Sequence, residues 1–406
     1  MNGHFDGGYP MQIQTSRRVR RRVHARLAAI AMLALSTGAC DLDLVNPTVL
    51  ARDEVDPNLL VNGAIESWMQ GWNSAVISEW YASDEAVSTD GTSASNRMLD
   101  ETGDLTVNST YFSGFAFAEM LDGREETRIA AARAQTVLDA AADSAQRARA
   151  TVGLQRAKAY NAWFVTHLAR RRGDQPIQPG GEVLTELEQY EHALSQFEDV
   201  IVLATETTDS MRINALGGSA RVSWMIGSAT GDEARLEAAI TAAEEALGLA
   251  PNLMWAFEWP YAYISDWYVN NWGIAAPGST FADIPIPATI VGIPQGDMFV
   301  DADALWLIKA DAHLQLGETP EARSALASTP LLLTNHVGLA GRDPDGPALS
   351  QAEADAWVAT LTAEEVQHAI DELWRENFYL RGDRNVDDSG APIFPIPLPP
   401  NALEVE

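Results

Sequence analysis

From residue 187 to residue 201 the apolar positions Leu187, Tyr190, Leu194, Phe197 and Ile201 recur at steps of three and four, with charged and amide residues between them. That period lays one apolar stripe along a helix. Helical periodicity of this kind dominates the chain. Residues 125–174 are rich in Ala, Leu, Arg and Glu and hold no proline, so they predict two helices with a break at Gly153. Residues 235–252 and 301–327 are amphipathic and alanine-rich in the same way. Ser350 with Glu353, and Thr362 with Glu365, have capping-box spacing, and the second opens a helix expected to reach about Leu380. In residues 67–91, Trp68 and Trp72 stand four apart and are read as core, while Trp80, Tyr81 and Asp84 come at the end of that helix.

Several helices come as pairs. Ala239, Ala243, Ala246 and Pro251 are spaced like the second helix of a tetratricopeptide repeat, and Trp306, Ala310, Gly317, Ala322 and Leu326 follow that repeat as well. Small residues let two helices of a hairpin approach closely, and a large one fills the gap. The intervals are uneven, so the repeats are irregular. Between the helices lie polar residues 84–114, the proline-bearing residues 273–298 and the Gly/Pro/Asp-rich residues 341–349, which predict loops or short strands. The last seventeen residues hold five prolines and predict an extended tail.

Charge narrows the function. The chain has 27 basic and 57 acidic residues, a formal net charge of −30. This argues against nucleic acid, whose binding is dominated by phosphate neutralisation. It also argues against electrostatic adhesion to anionic lipid.

The N-terminus runs against that balance. Arg17, Arg18, Arg20, Arg21, Arg22 and Arg26 precede an apolar block from Leu27 to Leu35, then Ser36, Thr37, Gly38, Ala39 and the only cysteine, Cys40. A positive region, a short apolar region and a small-residue site make a secretory signal. The block falls short of the roughly 20 residues that span a bilayer. With the cysteine directly after the small residues it resembles a bacterial lipoprotein signal, which implies removal of residues 1–39 and lipidation of Cys40. Thr37 stands where that pattern prefers leucine. Removing 1–39 takes away six arginines and Asp6, leaving 21 basic and 56 acidic residues, a net charge near −35.

Five segments in order then resemble the SusD/RagB-type outer-membrane lipoproteins. They are "DLDLVNPTVL" directly after Cys40, "LQRAKAYNAWFVTHLARRRGDQPI" ending in a Gly-Asp-x-Pro turn, "YEHALSQFEDVIVLA", "LWRENFYLRGDR" and "IFPIPLPPNAL". The resemblance implies a mostly α fold in one domain, residues 40–406: a helical body on irregular tetratricopeptide-type hairpins, with long irregular loops and a proline-rich tail. It implies a lipid-anchored protein at the cell surface of the outer membrane. Such a protein binds a nutrient, usually a glycan and sometimes a peptide, and caps a SusC-like TonB-dependent β-barrel transporter as its lid. It implies no reaction and no cofactor. It reads Arg375, Glu376, Arg381 and Arg384 as ties between helix and tail.

The candidate ligand residues come from the residue types. Residues 254–273 hold eight aromatics, among them Trp255, Trp259, Tyr263, Trp267, Tyr268 and Trp272, with Asn271 beside them. Aromatic faces stack on the C–H faces of sugar rings, while Tyr hydroxyls and amides bond sugar hydroxyls. One helix cannot bury aromatics on every side, so some are expected to face a groove. Trp80, Tyr81 and Asp84 are a second group. Asp383, Asn385 and Asp387 begin like a calcium loop, but Asp388 and Phe394 stand where glycine and glutamate belong, so an acidic turn is expected. Metal-ligand spacing, phosphate loops, nucleophile elbows and dinucleotide fingerprints are absent from the sequence. Two other readings stay open: a tetratricopeptide-type scaffold lipoprotein that binds proteins, and a surface glycoside hydrolase with two carboxylates about 5–10 Å apart in an aromatic cleft.

Overall fold

The computed structural model of the protein describes residues 55–82, 87–88, 114–204, 210–256, 274–275, 298–333 and 349–377. Except for Val55, these belong to the compact unit Asp56–Glu406. Ten helices are described: α1 Pro57–Ala82, α2 Gly114–Asp139, α3 Ser144–Arg172, α4 Glu186–Leu203, α5 Ser210–Thr230, α6 Glu233–Leu249, α7 Ala302–Gln315, α8 Thr319–Ala327, α9 Gln351–Val358 and α10 Ala363–Asn377. Six short strands pair in twos: β1 Val87–Ser88 with β5 Ile274–Ala275, β2 Gln175–Pro176 with β3 Val183–Leu184, and β4 Met254–Ala256 with β6 Met298–Asp301, all antiparallel.

From α1 to α6 each helix packs on the next, and α6–α7 and α7–α8 continue the series. The odd helices also touch one another, α1 on α3, α3 on α5 and α5 on α7. Hairpins stacked so that their first helices form one layer are the architecture of tetratricopeptide arrays, as the small-residue spacing predicts. Ala239, Ala243 and Ala246 are fully buried in α6, as are Ala310 in α7 and Ala322 and Leu326 in α8. Gly317 turns the α7–α8 hairpin at φ +79°, a conformation that costs a side chain energy and glycine none.

The caps follow the sequence. Ser350 and Glu353 form the reciprocal box before α9, and Thr362 and Glu365 the one before α10. Thr185 and Glu188 form a third before α4. Two expectations are corrected. Gly153 does not break a helix. It lies inside α3, and the break falls at residues 140–143, where Asp143 caps α3 by accepting from the Gln146 N–H. Gly153 instead permits a close approach, because a Cβ there would stand 3.2 Å from Pro57 of α1. Leu187 is 37 % exposed and leaves the stripe that Tyr190, Leu194 and Phe197 bury. It occupies the first turn of α4.

One apolar core joins α1–α7 and a second joins α7–α10, with Trp306 and Trp374 packed against both. Trp68 and Trp72 are fully buried. Trp68 stacks on Phe164 of α3 with ring centroids 4.0 Å apart. The core reading of this pair holds.

Candidate ligand-binding region

The segment with most of the candidate aromatics is bounded in sequence by β4 and β6. Strand pairing joins these two ends, with Met254 opposite Asp301 and Trp255 opposite Val300. The Ala302 N–H donates to the Leu253 carbonyl at 2.8 Å and extends the tie. This pair sits on the odd-helix layer through a glycine. Gly217 of α5 has space for no side chain, since a Cβ there would lie 2.9 Å from Val300. Its neighbour Gly218 is closed on another side by the Phe197 ring of α4. Two successive glycines thus let the Val300 and Phe197 side chains rest directly on the α5 backbone.

A second tie joins the two candidate groups. Val87 pairs with Ala275 and Ser88 with Ile274. The chain that follows Trp80, Tyr81 and Asp84 is therefore hydrogen-bonded to the chain that follows Trp267, Tyr268, Asn271 and Trp272. Trp80 and Tyr81 lie in the last turn of α1, and Trp255 lies in β4, each described in its backbone alone. Asp84, Trp259, Tyr263, Trp267, Tyr268, Asn271 and Trp272 fall outside the described residues, as do Cys40, Arg381, Arg384 and the acidic turn at 383–390. Arg375 and Glu376 are in α10, backbone only.

Beneath the β4–β6 root lies a buried polar node that sequence reasoning missed. Arg170 and Arg171 end α3, Arg221 lies on α5, and Asp301 closes β6; all four are buried, with His167 and Tyr190. Three arginines in the last turn of α3 suit the negative end of its dipole. The Arg171 guanidinium sits 4.0 Å from the centre of the Trp72 ring, a cation–π contact inside the core. Arg171 Nη1 lies 3.2 Å from His167 Nδ1. Guanidinium only donates, so Nδ1 accepts and the ring proton sits on Nε2. Burial, then Arg171, Arg221 and Arg170, hold the His167 pKa well below the usual histidine value. Burial and then Glu186, which accepts from the Tyr190 hydroxyl at 2.5 Å, push the Tyr190 pKa well above a phenol's. Asp301 opposes the desolvation of Arg221 and caps α7 by accepting from the Ala304 N–H at 2.7 Å. The run "ARRRGD" carried the signal, but nothing in it says that a charged run would be interior.

Chemically the node is inert near neutral pH: the imidazole is neutral, the phenol keeps its proton and guanidinium does not release one. It works as a rigid base. The turn beyond it is held as firmly. Gly173 ends α3 at φ +66°, Asp174 Oδ1 accepts from the Glu186 N–H at 3.0 Å, and Gln189 Nε2 donates to the Gly173 carbonyl at 2.9 Å. Among the described residues no three His, Cys, Asp or Glu side chains gather to hold a metal, and no helix is long and apolar enough to cross a membrane.

The chain matches no family model and no curated protein. It does match solved structures. A SusD/RagB family protein from Bacteroides thetaiotaomicron aligns over 80 % of this chain and 84 % of its own at 12 % identity, with a TM-score of 0.55. A SusD-like carbohydrate binding protein from Bacteroides vulgatus aligns over the same shares at 13 % identity and a TM-score of 0.53. A SusD superfamily protein from Bacteroides fragilis aligns over 81 % and 87 % at 14 % identity, with a TM-score of 0.52. The fold of this chain is the SusD-like helical fold.

Proposed function

We propose that this chain is a SusD/RagB-type lipoprotein that binds a nutrient at the cell surface and passes it, as a lid, to a SusC-like TonB-dependent transporter in the outer membrane. The observation that carries this reading is the conjunction of a SusD-like fold over four-fifths of the chain with a lipoprotein-type sequence ending at Cys40. Neither alone would suffice. The fold is compatible with a scaffold, and the signal is compatible with any anchored protein.

The ligand in this reading is an oligosaccharide. It is recognised by aromatic stacking and hydroxyl hydrogen bonds from the segment rooted at β4 and β6 and the one tied to it through β1–β5. The protein binds and releases; it carries out no reaction and needs no cofactor. The buried node under β6 supports the reading because a firmly held root lowers the ordering cost that a long segment would bring to binding.

Co-purification tests the transporter half. A C-terminal tag, mild detergent extraction of native membranes and identification of stoichiometric partners should recover a large TonB-dependent barrel. Recovery of other proteins in its place would favour the scaffold. The mass of the mature N-terminus tests the anchor: Cys40 is expected to be first and to carry acyl chains, and an unmodified Cys40 would refute it.

A further inference from the structure

A different part of the helical array, formed by α2, α3 and α4, holds a buried cation that no carboxylate bonds among the described residues. Arg124 of α2 is 3 % exposed. Its Nε and Nη1 are enclosed, and no acceptor reaches either among the described residues. Burying a charge without a partner is strongly unfavourable, so each candidate counter-charge matters. Glu125 is the carboxylate that bears on Arg124. It is already taken by Arg128 in a two-pronged pair, Nε to Oε2 at 2.7 Å and Nη2 to Oε1 at 2.6 Å.

The neutral acceptors are taken too. Asn161 of α3 donates to the Arg124 carbonyl and to Thr127 Oγ1, both at 2.9 Å. Thr127 Oγ1 donates to the same carbonyl at 2.7 Å. Asn161 Oδ1 accepts from Gln196 of α4 at 2.9 Å. This network fixes the Arg124 backbone, and none of its oxygens accepts from Arg124 Nε or Nη1. The other charges nearby are cationic or paired. Lys158 of α3 is bonded to Asp199 of α4, and the proton affinity of His192 is lowered by burial and then by Lys158 and Arg124.

We propose that the Arg124 guanidinium is an oxyanion site between α2, α3 and α4, which takes a carboxylate or a phosphate-type group. A held guanidinium offers two N–H bonds in a fork that matches such groups. The site uses no residue of the aromatic segment, so it stands independently of the glycan reading. Arg124 is 3 % exposed, so the group that reaches it is a small anion or the single acidic substituent of a larger ligand. The chain's net negative charge opposes its approach, but that field is screened over about 10 Å at 0.1 M salt, whereas the contact itself is desolvated.

The test is thermal unfolding of the full-length protein in acetate, galacturonate, phosphate or sulfate, each against chloride at matched ionic strength, beside Arg124→Met. Phosphate and sulfate stabilise most proteins through exclusion, and that part will be common to both proteins. The site predicts an additional, saturable rise in Tm in the wild type that is lost in Arg124→Met. It also predicts that Arg124→Met melts no lower than the wild type in chloride, because a buried unpaired charge has been removed. In the wild type alone, the Arg124 Nε–Hε nuclear magnetic resonance signal, assigned through its own side-chain carbons, should shift along the same isotherm. A response to acetate and galacturonate alone would mark a carboxylate-bearing ligand; a response to all four would mark a general oxyanion site. Equal Tm shifts in both proteins, or an Nε–Hε signal indifferent to all four anions, would overturn the proposal.

Discussion

Gly63 and Gly123 lie on the facing helices α1 and α2, yet alanine should act oppositely at the two. A Cβ at Gly63 meets nothing within 4 Å. Alanine there gains the helix preference over glycine, about 0.5–1 kcal/mol. A Cβ at Gly123 would stand 2.8 Å from the Ala64 carbonyl oxygen, from Trp68 N and from Trp68 Cβ. The first two are backbone atoms of a helix whose Trp68 is fully buried against Phe164, so they cannot swing aside. Ordinary contact begins at 3.4 Å, so α1 and α2 must part by about 0.6 Å along a line that the core has closed. Overpacking of this kind costs about 1–3 kcal/mol. It outweighs the propensity gain and leaves Gly123→Ala destabilised by up to about 2 kcal/mol. At roughly 2.1 cal/mol/K per residue, a body of about 350 residues moves about 1.4 °C in Tm per kcal/mol. Calorimetry of the two variants side by side should put Gly63→Ala about 1 °C above the wild type and Gly123→Ala as much as 3 °C below. Equal stabilisation by both would refute the close packing of α1 on α2, and with it the placement of Trp68.

Stability should fall with acid in a way traceable to His167. Its folded pKa lies below the unfolded value of 6.5, so below that pH the unfolded state binds more protons and the fold loses stability as pH drops. The loss is at most about 1.4 kcal/mol per pH unit for one group. His192, shifted the same way, adds to it, so His167→Gln should flatten a Tm profile between pH 7.5 and 5.5 without abolishing its slope; an unchanged slope would refute the assignment. Replacing Trp259, Trp267 and Trp272 together with alanine should lower glycan affinity more than Tm, as measured by calorimetric titration and melting. A collapsed Tm with unchanged affinity in the folded fraction would make them core. Affinity for a neutral glycan should stay flat from 50 to 500 mM salt, on the order of the range where surface electrostatics vanish, and a steep decline would mean recognition by charge in place of stacking.

The helices were legible because their period is local. Three- and four-residue steps, alanine at close approaches and Ser/Thr with Glu three residues on each specify structure within one or two turns. What failed was whatever depended on a neighbour. Gly153 reads as a break from its own segment, and only Pro57 of α1, against which it packs, explains why glycine stands inside an unbroken α3. Leu187 fits the stripe by spacing but is exposed in the first turn of α4. Arg170 and Arg171 look like a solvated basic run until α5 and β6 are laid over them. The ties β1–β5 and β4–β6 were beyond reading, since strands of two to four residues carry no period and pair across 42 to 188 residues of chain.

These interior charges change what the net charge means. Among the described residues the buried charged side chains are Arg124, Arg170, Arg171 and Arg221 against Asp301 and Asp311. No buried lysine or glutamate is found there. Buried arginines thus outnumber buried aspartates four to two, and the described surface is more acidic than the described residues taken together. Guanidinium suits the interior role because it is weakly hydrated, planar and able to stack, as Arg171 does on Trp72. A body charged in this way repels anionic polymers beyond contact distance and is indifferent to neutral ones. In the proposed reading, recognition of a neutral glycan falls to shape, stacking and hydroxyl bonds, which the acidic field does not weaken. That is why an aromatic segment rooted on a cationic, immobile node is physically coherent with so acidic a chain.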